Sequence, residues 1–119
     1  MTKKEITIQG KQYPVAFTMD TLMNFERIVS KSFFESDFKT LVDRMALIYA
    51  AVVTADENTD LTVEVMKGDN NLQAIQQIIA AYVVVAELMG KFFEVPEVVV
   101  TEEQAETKTE EEEGEKPKN

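Results

Sequence analysis

The chain has 119 residues, enough for one domain with a single modest core. It contains no cysteine and no histidine, which excludes disulfides, thiolate metal sites and imidazole-based acid–base or metal chemistry. The net charge is −10 and unevenly placed: residues 94–119 hold ten Glu and three Lys, whereas 1–93 hold nine Lys/Arg and twelve Asp/Glu. No basic stripe is available to neutralise phosphates, so no nucleic-acid partner is expected.

Ile6 and Ile8 alternate with polar residues, and Tyr13, Val15 and Phe17 follow with the same period of two. That pattern predicts two strands with one buried face, joined by a tight turn at Gly10-Lys11, where glycine tolerates positive φ. Pro14 cannot donate to a ladder, so its strand belongs at an edge, and the hairpin must lean on helices to be stable. Thr18 is placed to cap a short first helix in which Leu22, Phe25, Ile28 and Val29 recur at helical spacing, ending near Ser30-Lys31-Ser32. Ser36 or Asp37 is expected to cap a second helix with a broad apolar stripe from Phe38 to Val53, ending by Ala55-Asp56-Glu57-Asn58.

Leu61–Met66 reads either as a strand, by alternation, or as a short helix capped by Thr62 and stopped at Gly68; the helical neighbours favour the helix. Asn70 or Asn71 opens a long helix through about Phe93. Two stripes run along it: Leu72, Ile75, Ile79, Tyr82, Ala86, Met89 and Phe93, and Ala74, Ile78, Ala81, Val85, Leu88 and Phe92. A helix apolar on so much of its circumference is either central in a core or covered by a partner. Val95–Val100 breaks it and reads as an extended strip, and 101–119, almost without apolar groups, is expected to be a disordered acidic tail. The expected fold is α+β, mainly α: an N-terminal β-hairpin packed on a small bundle of three to four helices, with a domain over 1–100 and the acidic tail over 101–119.

The inventory for catalysis is thin. Serines and threonines have no imidazole or thiol to activate them, and each serine is better explained as a cap or loop residue. Asp56-Glu57-Asn58-Thr59-Asp60 lacks the glycine and terminal glutamate of a calcium loop and reads as a polar connection. No enzyme activity, cofactor or metal is expected. The start of the chain shows no signal-peptide apolar run. The longest apolar runs, Met45–Val53 and Ile78–Ala86, are nine residues each, against the roughly 20 that span a bilayer. A cytoplasmic protein with no membrane partner is expected. Those two runs still exceed what one core stripe per helix needs: either they pack on each other as the core, or part of this surface is buried against another subunit or a client helix. Of Phe33 and Phe34, adjacent residues that cannot both point inward, one is expected in the core and the other outside.

The sequence Ile6-Thr7-Ile8-Gln9-Gly10-Lys11-Gln12-Tyr13-Pro14-Val15-Ala16-Phe17 leads into a helix with Phe25-Glu26, then Ser30-Lys31-Ser32-Phe33, two apolar helices and an acidic tail. This order resembles the tail assembly chaperones of long-tailed bacteriophages and prophages over about residues 5–93, in layout more than in motif. Family members often carry glycine near the position of Ser30, and this chain departs there. The resemblance implies a chaperone in the cytoplasm of a bacterial host that coats a long, apolar, helical tape-measure protein and helps recruit tail-tube subunits before they polymerise. The stripe pattern itself nominates Phe34, Ile78, Val85, Leu88 and Phe92 as the residues that hold a protein client or a second copy in a homo-oligomer. The alternative reading is a structural or oligomeric subunit of a phage or bacterial assembly.

Overall fold

The computed structural model describes residues 3–94; the strip 95–100 and the tail 101–119 lie outside them. A two-stranded antiparallel sheet, β1 (Lys3–Ile8) and β2 (Lys11–Ala16), is followed by four helices: α1 (Met19–Val29), α2 (Leu41–Ala55), α3 (Val63–Lys67) and α4 (Asn71–Phe92). A single 3₁₀ turn, Phe33–Glu35, interrupts the α1–α2 connection. This is the expected hairpin on a small helical bundle.

Ile6 pairs with Tyr13 and Ile8 with Lys11, which puts Ile6, Ile8, Tyr13 and Val15 on one buried face. The turn is Gln9-Gly10, one residue earlier than expected, with φ of 52° and 78°. A two-residue loop of this kind needs positive φ at both positions, and glycine serves the second here. Lys11 therefore stays in the ladder, and its Nζ reaches Asp60 Oδ2 at 2.6 Å. The Gln9 N–H donates to Gln77 Oε1 at 2.8 Å, tying the turn to α4.

Thr18 caps α1 as expected: its Oγ1 accepts from the Asp20 N–H, while Thr21 Oγ1 accepts from the Thr18 N–H. Thr21 is fully buried, donates to the Ala16 carbonyl and lies 2.9 Å from Thr54 Oγ1. One hydroxyl pair thus joins the end of β2, the start of α1 and the end of α2, with its polarity satisfied inside the fold. α1 ends at Ser30, which takes the left-handed conformation (φ 60°, ψ 38°). A helix stop of this kind favours glycine, and serine there costs about 1 kcal/mol.

The start of α2 departs from expectation. Its cap is Thr40, whose Oγ1 accepts from the Asp43 N–H, and not Ser36 or Asp37. Phe38 has φ 55°, outside the helical region, so no helix can run through it. Ser36 and Asp37 instead hold the turn: Ser36 Oγ accepts from the Phe38 N–H, and Asp37 Oδ1 from the Lys39 N–H. Arg44 Nε donates to the Phe38 carbonyl at 2.6 Å and fixes this bend.

α2 is the centre of the molecule, packed against α1, β2 and α4, with Leu47, Ile48, Ala50, Ala51 and Val52 fully buried. Residues 63–67 are helical, with Thr62 as cap and Gly68 (φ 57°) as stop. A Cβ on Gly68 would displace the amide end of the flexible Gln9 side chain, which lies against this stop. Asn70 caps α4 through Oδ1, which accepts from the Gln73 N–H. Among the described residues, α4 alone is long and apolar enough to cross a membrane by length and composition. The nine-residue apolar run understated this, because the glutamines before it end the run without adding charge.

Candidate functional site

α2 carries more apolar surface than the core covers. Val42 is exposed and Met45 and Tyr49 are only partly covered by the core, with residues of α1 and α3 on either side. The result is an apolar groove of about 660 Å³, walled by Ile28 of α1, by Val42, Met45 and Tyr49 of α2, and by Val63 and Met66 of α3. Met66 is buried and forms the floor, while Val42 is 71% and Val63 56% exposed and form the lips. Two methionines in the lining let the surface adjust to ligands of different shape.

An ion pair lies in the lining of the groove. Asp43 has a side chain only 8% exposed and accepts from Lys31 Nζ at 2.8 Å and from Ser36 Oγ at 2.7 Å. The hydrogen bond from Lys31, then that from Ser36, together with the lysine's charge, hold the Asp43 carboxyl below the usual carboxylate range against the opposing effect of desolvation. A carboxyl that titrates lower when folded contributes stability above its unfolded pKa, and loses it as pH falls through the folded one. Asp43→Asn is therefore expected to lower the thermal unfolding midpoint at neutral pH. The gap from the parent chain should close as pH falls below about 4, the unfolded carboxylate value.

A second feature lies beside the groove. All seven phenylalanines of the chain form one connected cluster: Phe33 lies 5.3–6.2 Å from the rings of Phe17, Phe25, Phe34, Phe38 and Phe93, and Phe92 contacts Phe17 and Phe93. The cluster joins the end of β2, the α1–α2 connection and the last turn of α4. Phe33 is buried and Phe34 is 73% exposed, so the adjacent pair divides between inside and outside.

The residues nominated from the stripe pattern divide differently from expectation. Ile78, Val85 and Leu88 are each at most 3% exposed, in the core cluster with residues of α2 and the sheet. The reason is the small residues on their stripe. Ala74 and Ala81 let the α4 backbone come close to its neighbours, so this stripe is the one packed inward. Phe92 is 38% exposed and leans on Phe17, and of the five only Phe34 projects freely. The exposed apolar face of α4 is made of Leu72, Ile75 and Ile79 from the other stripe, joined by Val83, all 44–67% exposed, while Tyr82 and Met89 of that stripe pack against the core.

Among the described residues, no three acidic side chains converge to hold a metal ion. The arrangement offers a mainly apolar groove with one salt bridge in its lining, suited to taking up apolar side chains. Comparison with protein-family models, with curated proteins and with solved structures gives no match.

Proposed function

We propose that this chain is an assembly chaperone of the tailed-phage and prophage type, which holds an apolar helical segment of a tape-measure-like protein in the α1–α2–α3 groove and keeps it soluble until assembly. The observation that carries this reading is the open groove itself, with Val42 and Val63 standing exposed on either side of a buried methionine. A helix presenting apolar residues at i, i+3, i+4 and i+7 inserts one row of side chains into such a channel. The net charge of −10 supports the same reading, because a complex with a greasy client stays dispersed when its surface repels its neighbours. The order of hairpin, apolar helices and acidic tail adds the resemblance to the chaperone family, and with it tail-tube subunits as a second class of partner.

The reading is tested by light scattering. A long apolar coiled-coil fragment of the tape-measure kind, diluted from denaturant, is expected to stay clear at equimolar chaperone and to aggregate without it. Equal turbidity with and without the chain would remove the proposal.

A further inference from the structure

The exposed stripe of α4 is self-complementary. Leu72, Ile75, Ile79, Val83 and Ala86 lie on one side of the helix, and no charged residue occurs between Asn71 and Ala86. The spacing is symmetric about Ile79: Ile75 and Val83 lie four residues to either side, and Leu72 and Ala86 seven. Two copies of α4 laid antiparallel about a two-fold axis through Ile79 would pair Ile79 with itself, Ile75 with Val83, and the large Leu72 with the small Ala86. We propose that a second copy of this chain covers this stripe, making an isologous dimer through antiparallel α4 helices.

Two observations favour a second copy over any other occupant. The first is the palindromic register, which makes the stripe complementary to its own copy about a two-fold axis. The second is size. The exposed parts of Leu72, Ile75, Ile79 and Val83 amount to roughly 350 Å² of apolar surface, within the range of patches that are often functional. Apolar atoms make up somewhat more than half of an interface, so this patch corresponds to a contact of roughly 1,200 Å² over both copies, the lower end of stable specific interfaces. The helix is already ordered by its other face, so pairing it freezes little further motion. The same register sets Glu87 of one copy beside Asn71 of the other, at the positive end of the facing helix dipole. The dimer is independent of the groove, which lies between α1, α2 and α3, and it stands or falls whether or not a client binds there.

Sedimentation equilibrium of the full chain should show a dimer of twice the 13.5 kDa chain mass, strengthened by salt as the like charges of the two copies are screened. Ile79→Lys, present twice per interface, should weaken it by about 100-fold or more with an unchanged helical spectrum. Because the chain has no cysteine, Ile79→Cys gives a single thiol that should form a symmetric disulfide under mild oxidation. Phe34→Cys should stay largely uncrosslinked. This arm reads the contact even if the lysine variant unfolds. A chain that sediments as a monomer, a dimer undiminished by Ile79→Lys, or crosslinking at Phe34→Cys and not at Ile79→Cys would each overturn the proposal. So would a stripe that becomes covered only when a helical peptide is added.

Discussion

Phe33→Ala is expected to destabilise the fold by about 3–5 kcal/mol, read as a lower urea midpoint with little change in slope. Phe33 is 5% exposed and touches five other phenylalanine rings drawn from β2's end, α1, its own connection and α4. No smaller side chain can keep those contacts, and the rings around it come from four separate segments that cannot close on the hole together. Against a total stability of about 5–15 kcal/mol, the loss is a large share of what holds the chain folded. Phe34→Ala, one residue on, removes a ring that is 73% exposed and should shift stability by less than about 1 kcal/mol. The contrast between neighbours is the test. Similar losses at both positions would mean that the cluster is not organised around Phe33.

The second large effect concerns the groove. Val42→Glu combined with Val63→Glu places a carboxylate on each lip of the channel. Both valines are more than half exposed, so the fold should lose less than about 1 kcal/mol. A client helix, however, would have to desolvate both charges against apolar side chains, and its affinity is expected to fall by about 30-fold or more. Fluorescence anisotropy of a labelled amphipathic peptide measures it. Ile79→Lys on α4 serves as the control and should leave peptide affinity unchanged, since that stripe is separate from the groove.

Local signals in the sequence carried much of the fold. Thr18, Thr62 and Asn70 act as helix caps because their side-chain oxygens satisfy free N–H groups one turn ahead, a requirement visible in a linear string. Ser36 and Asp37 carry the same chemistry and failed as caps of α2. The left-handed Phe38 follows them, and their side chains serve that turn instead, while the Arg44 contact and the ring cluster, which come from elsewhere in the chain, hold the bulky residue in that conformation. The hairpin was legible, but the turn lay one residue off, because Gly10 suits either position of a two-residue loop.

The site was less legible for a related reason. Periodicity found two apolar stripes on α4, about 100° apart at 3.6 residues per turn, but could not say which faces inward. Packing decides that: the stripe with Ala74 and Ala81 fits closely against α2 and the sheet, which leaves Ile78, Val85 and Leu88 in the core and Ile79 outside. The groove was invisible for a further reason, since Ile28, Val42 and Val63 meet only through the positions of three helices. Its one advance sign was the breadth of the α2 stripe. Thr21 gave no sign at all, because a buried threonine reads the same as a surface one in any helix.

The groove's role as a client site is tested most directly by following the backbone amide signals of the isotopically labelled chain as an apolar amphipathic helix is added. Saturable shifts should concentrate on Ile28, Val42, Met45, Tyr49, Val63 and Met66, while the outer face of the hairpin, at Thr7 and Gln12, stays still. Shifts that never saturate, or that gather on the hairpin and spare the groove, would contradict the account.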